Sequence, residues 1–91
     1  MNTTAAKRIE FQGKAKAKYG NKIILFRDND LYFMYNEDAE LLCEEFKYSL
    51  VLFESIFDNY KYSFIQAKEL DQYLPAIVRH GHQVAICDGT F

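Results

Sequence analysis

The chain has 91 residues, 49% hydrophobic, 16% aromatic and 26% charged, with one proline and four glycines. That length fits one domain, and so much apolar content excludes a disordered segment. No fixed period marks a repeat array, and no apolar run approaches the ~20 residues that span a bilayer. Met1–Thr4 lead into charge rather than an apolar signal core, so the chain reads as soluble and cytoplasmic, with no membrane partner. Its net charge of −2 is spread unevenly: six Lys/Arg against one acid in residues 1–22, then five against twelve in residues 23–91. A basic end on an acidic body marks either a nucleic-acid contact or a solvated helix.

In chain order, residues 3–19 are rich in Ala and Lys and predict a helix, although Ala5, Ile9, Phe11, Ala15 and Tyr19 make no single apolar face. Gly20-Asn21 stops it. Residues 22–26 and 31–35 predict two strands joined through the Asp28-Asn29-Asp30 turn, where Asn29 can take a positive φ. Asn36 is placed to cap a helix whose buried face is Ala39, Leu42, Cys43 and Phe46, with Glu40, Glu44 and Glu45 pointing away. Residues 48–56 and 60–65 predict a second hairpin around the tip Phe57-Asp58-Asn59. A last helix buries Ala67, Leu70, Leu74, Ile77 and Val78, contains Pro75 and ends at Gly81. Residues 83–87 predict a final buried strand. The order α-β-β-α-β-β-α-β implies an α/β domain, one mixed sheet flanked by about three helices, spanning 1–91. The stop at Gly89-Thr90-Phe91, straight after a strand, suggests a domain excised from a longer protein.

Candidate chemistry is sparse. Asp28-Asn29-Asp30 fails the calcium-loop pattern, because its sixth position is Phe33 rather than glycine. His80 and His82 lack a third metal ligand nearby in sequence, and Cys43 lies on an apolar face rather than at an electropositive site. Cys43 and Cys87 read as buried thiols. No phosphate-cradling glycine loop is present. No catalytic residue, metal or cofactor is therefore assigned. The aromatics read mainly as core, except for Leu31-Tyr32-Phe33, which start a strand straight after a turn.

The run Ile23–Ala39 resembles the opening LLFYRMGDFYELFYDDA of the DNA mismatch repair family MutS. Leu70-Asp71-Gln72-Tyr73-Leu74-Pro75, followed by Gly81 and Val84-Ala85-Ile86-Cys87-Asp88, resembles that family's LDQYLP…G…VAICEQ. The resemblance covers roughly residues 10–89 and concerns the mismatch-recognition domain alone. It implies a DNA-binding domain in which a Phe-X-Glu triplet enters the minor groove at a mispair. That triplet aligns with Leu31-Tyr32-Phe33. Leu31 keeps an apolar wedge without an aromatic ring, and Phe33 cannot accept a hydrogen bond from a base. Arg27 and Asp30 match the family's arginine and aspartate, whereas Gln66-Ala67-Lys68 depart from its Pro-Tyr-His. Two expectations follow. The domain contacts double-stranded DNA without mismatch specificity, through Leu31, Tyr32, Phe33 and Arg27 with Lys14, Lys16, Lys18 and Lys22 on phosphates. Alternatively, it is a structural or protein-interaction module of a larger protein, a reading that its acidic body supports.

Overall fold

The computed structural model describes residues 3–89. These form α1 (Thr3–Tyr19), β1 (Ile23–Asp28), β2 (Leu31–Tyr35), α2 (Asn36–Glu45), β3 (Phe53–Ser55), β4 (Tyr60–Gln66), a 3-10 turn (Ala67–Glu69), α3 (Leu70–Arg79) and β5 (Val84–Cys87). The strands make one sheet in the order β3-β4-β2-β1-β5. Its neighbours are antiparallel except for β1 and β5, which pair in parallel from Ile23↔Val84 to Phe26↔Cys87. The mixed sheet and its three helices are thus as the sequence implies.

Alternation along the strands splits the core into two layers. Ile23, Leu25, Tyr32, Met34 and Ile65 face α2 and α3, meeting Ala39, Leu42, Cys43, Leu70 and Ile77. Ile24, Phe26 and Tyr35 face α1, meeting Ala5 and Ile9. Arg27 pairs with Tyr32 and Asp28 with Leu31, so β1 and β2 are joined by the two-residue turn Asn29-Asp30. Asn29 takes φ 54° there, a left-handed conformation that asparagine tolerates.

Several expectations need correction. Asn36 does not cap α2: it has φ 49°, and its Oδ1 accepts the Lys61 backbone N–H from β4. The second hairpin keeps only three residues in its first strand. Residues 46–52 instead run as a turn and an extended segment, held where Ser63 Oγ donates to the Val51 carbonyl at 2.7 Å. Their hydrophobicity suggested a strand, yet Tyr48, Val51, Ile56 and Phe57 are exposed. In the last helix the 3-10 turn precedes α3, Val78 is exposed, and Leu74 is half-buried while Ile77 is sealed. Val78 follows Ile77 by one residue, about 100° around the helix, which takes it off the buried face. Strand β5 is the sheet edge, so it and Cys87 are only half-buried, whereas Cys43 is buried.

Glu45 does not point away either. His82 Nε2 lies 2.7 Å from its Oε1, and His80 Nδ1 lies 3.2 Å from its Oε2. A carboxylate only accepts, so His82 Nε2 must carry the proton. Partial burial pushes the Glu45 carboxyl up, but the two imidazoles outweigh it and hold the group below the usual carboxylate range. An unfolded chain therefore takes up this proton first as pH falls. The stabilisation is intact above the ordinary value of about 4.3 and is lost as pH drops toward the depressed folded value. Urea midpoints measured from pH 6 to pH 3 should fall less steeply for Glu45→Gln than for the native chain. Parallel curves would remove this clasp from the stability of the fold.

Candidate nucleic-acid interface

The Asn29-Asp30 turn carries the aligned triplet to one end of the sheet. Leu31 and Phe33 are half-buried on the α1 side, and Tyr32 points the other way into the core, 7% exposed. Exposed Arg27 folds back over the turn. Its Nε donates to the Asn29 carbonyl at 2.7 Å, one terminal nitrogen donates to the Tyr32 hydroxyl at 2.8 Å, and its guanidinium lies 5.1 Å from the Tyr32 ring centroid. Arg27 therefore orders the turn and stays open to solvent.

Behind the turn sits Arg8 of α1, 6% exposed. It donates to the Tyr35 hydroxyl at 3.0 Å and to Asp28 Oδ2 at 3.1 Å. Burial opposes its charge, but these two partners more than offset that and hold the guanidinium above its ordinary range. Gln12, one turn further along α1, donates to the Tyr35 carbonyl at 3.2 Å. Arg8 and Gln12 explain why α1 showed no tidy stripe: its buried face is Ala5, Arg8 and Gln12. The spacing i, i+3, i+7 was present in the sequence but was carried by polar residues, so an apolar template passed over it.

The predicted lysines lie elsewhere. α1 runs against β1, with Arg8 at the Asp28 end and Lys16 at the Ile24 end. By strand rise these ends are about 13 Å apart, so Lys14, Lys16, Lys18 and Lys22 are not gathered around Leu31. Lys16 is occupied: its ammonium meets Asp38 Oδ1 at 2.7 Å and the Lys22 carbonyl at 2.8 Å, and the side chain is 13% exposed. Lys14 pairs on the surface with Glu10 at 2.9 Å, and Lys18 lies over the Tyr19 ring. Both are exposed, and Lys22 is half-buried. Glu45 gives His80 and His82 a carboxylate partner, but among the described residues no group of three His, Cys, Asp or Glu is arranged to hold a metal ion. No helix among them is long and apolar enough to cross a membrane.

The chain is a mixed α/β sheet domain that presents a solvent-facing turn, ordered by an arginine and followed by an apolar residue, at one end of its central strands. The sequence matches the family model of MutS domain I over residues 8–90, and the chain belongs to that family. Similar curated proteins include several named DNA mismatch repair protein MutS. The one from Methanococcoides burtonii is 32% identical over 76 residues, 81% of this chain and 9% of the relative. Those from Parabacteroides distasonis and Phocaeicola vulgatus are 38% and 39% identical, each over 80% of this chain and 8% of the relative. The chain thus spans less than a tenth of the length of these relatives.

Proposed function

We propose that this domain contacts duplex DNA through the β1–β2 turn without reading the identity of a mispair, as a non-enzymatic unit of a longer mismatch-repair-type protein. Membership of the MutS domain I family carries the reading. The half-buried Leu31 supplies an apolar wedge of the kind that kinking proteins insert between base steps. Phe33 offers no acceptor for a base edge, so the specificity expected of a carboxylate at that position is gone. Arg27 stands beside the turn for phosphate contact, and Lys14 and Lys18 extend the basic surface along α1. Lys16 is left out of this set because Asp38 holds it.

Fluorescence anisotropy with labelled homoduplex and G·T duplex, at low and moderate salt, tests the reading. Binding should weaken with salt and be equal for the two duplexes. Neutralising Lys14 and Lys18 together should lower the salt slope by roughly one to two. A clear preference for the mismatch would refute loss of base reading. Absence of binding at low salt would leave the protein-interaction module, which the exposed apolar run Tyr48, Val51, Ile56 and Phe57 favours.

A further inference from the structure

We propose that this domain associates head to tail with a second copy of itself, the exposed side of α1 seating in the apolar groove beside α2. The inference is independent of the DNA-contacting reading above and stands or falls on its own experiment.

The two helices carry matching stripes. On α1, Lys7, Phe11 and Lys14 stand at i, i+4 and i+7, and all three are exposed. On α2, Glu37, Leu41 and Glu44 repeat that spacing and are likewise exposed. Each stripe reads charge, apolar side chain, charge, and the signs are opposite. Phe11 is 42% exposed and Leu41 37%, so each stripe has an apolar centre that water reaches. Beside the α2 stripe an open groove of about 700 Å³ continues the apolar surface to Leu50 and Leu52, with Glu40 also on its rim. A helix ridge laid in such a groove brings ammonium to carboxylate at both ends and ring to leucine between them.

Topology requires the partner to be another molecule. α1 packs on one side of the sheet and α2 on the other, so the two stripes cannot meet within one chain. Between copies the contact is heterologous and can repeat in line. Charge selects the second copy as the occupant. The groove fits a basic amphipathic helix, and this chain carries one. Six Lys/Arg against one acid make residues 1–22 net +5, and five against twelve make residues 23–91 net −7. Two pairs already engage these stripes, Lys14 with Glu10 at 2.9 Å and Lys61 with Glu40 at 3.2 Å. Both face solvent, where such pairs contribute little, so they can exchange partners. One helix face in one groove lies at the small end of interfaces, below about 1,200 Å², where association is weak.

Sedimentation equilibrium of the 91-residue chain over rising concentration at low salt tests this. The average mass should climb to about twice that of one chain, and high salt should return it to one. Glu37→Lys with Glu44→Lys should hold the chain monomeric, and so should Lys7→Glu with Lys14→Glu. Mixed in equal amounts, the two variants should associate again, because each reversed stripe then meets its complement. Glu44→Lys alone, away from the first turn of α2, replaces the double variant should that fail to fold. Glu54→Lys with Asp71→Lys makes the same change in net charge at other exposed positions and should associate as the native chain does. A native chain that stays monomeric at low salt would overturn the proposal. So would self-association that survives either pair of reversals, or a mixture that stays monomeric.

Discussion

Phe26→Ala should lower the stability of the domain by about 4 kcal/mol. Phe26 is fully sealed in the middle of the sheet. Its ring meets the edges of Phe11 at 6.0 Å and Tyr35 at 5.8 Å, with the Arg8 guanidinium 5.9 Å from its centroid. Truncation removes the transfer free energy of a whole ring and leaves a void that the paired strands β2 and β5 cannot collapse to fill. Small domains have only about 5–15 kcal/mol in total, so the variant should lose a large share of its stability. Urea titration with circular dichroism measures the change. A loss under about 1 kcal/mol would mean that the layer under α1 is not closed.

The second large effect lies at the other end of β1. Asp38 is 2% exposed, accepts the buried Ile24 N–H at 3.0 Å on one oxygen and takes the Lys16 ammonium at 2.7 Å on the other. Burial pushes its carboxyl up, and the ammonium and the N–H pull it only part of the way back. Asp38→Ala strands both partners, a backbone donor without an acceptor and a nearly buried cation without a counter-charge. It should cost about 3 kcal/mol. Lys16→Met in the same chain removes the stranded cation and should recover part of that loss, while the Ile24 N–H stays unsatisfied. A double-mutant cycle on urea midpoints isolates the coupling, and additive losses would show that the pair does not act as a unit. The pair also sets how the DNA experiments are read, since weakened binding by a Lys16 variant would reflect α1 coming away from β1.

Much of the architecture was legible because periodicity and burial agree. Strand β2 and the face Ala39, Leu42 and Cys43 fall where alternation and the 3.6-residue period put them. Gly20 and Gly81 close their helices at positive φ. The misplacements share one physical cause. Along residues 48–57 the apolar side chains are exposed, so a strand pattern there reported hydrophobicity without burial. In α1 the reverse holds, with Arg8 and Gln12 buried by virtue of partners on Tyr35 and Asp28 that lie 20 to 27 positions away. The candidate site divides in the same way. The turn and Leu31 were locatable from a local motif, whereas the burial of Arg8 behind them depends on Tyr35 and Asp28 of the sheet meeting a cation from α1, which no local spacing encodes.

The parallel pairing of β1 with β5 has a kinetic meaning. Strand β1 is complete at residue 28, but its outer edge is covered only when residues 84–87 align beside it. Closing so long a loop is entropically costly, and topologies dominated by distant pairings fold slowly. A nascent chain would meanwhile carry an uncovered strand reading Ile-Ile-Leu-Phe, open to pairing with any other chain at hand. Correct assembly of this domain is thus a race between its last strand and its neighbours.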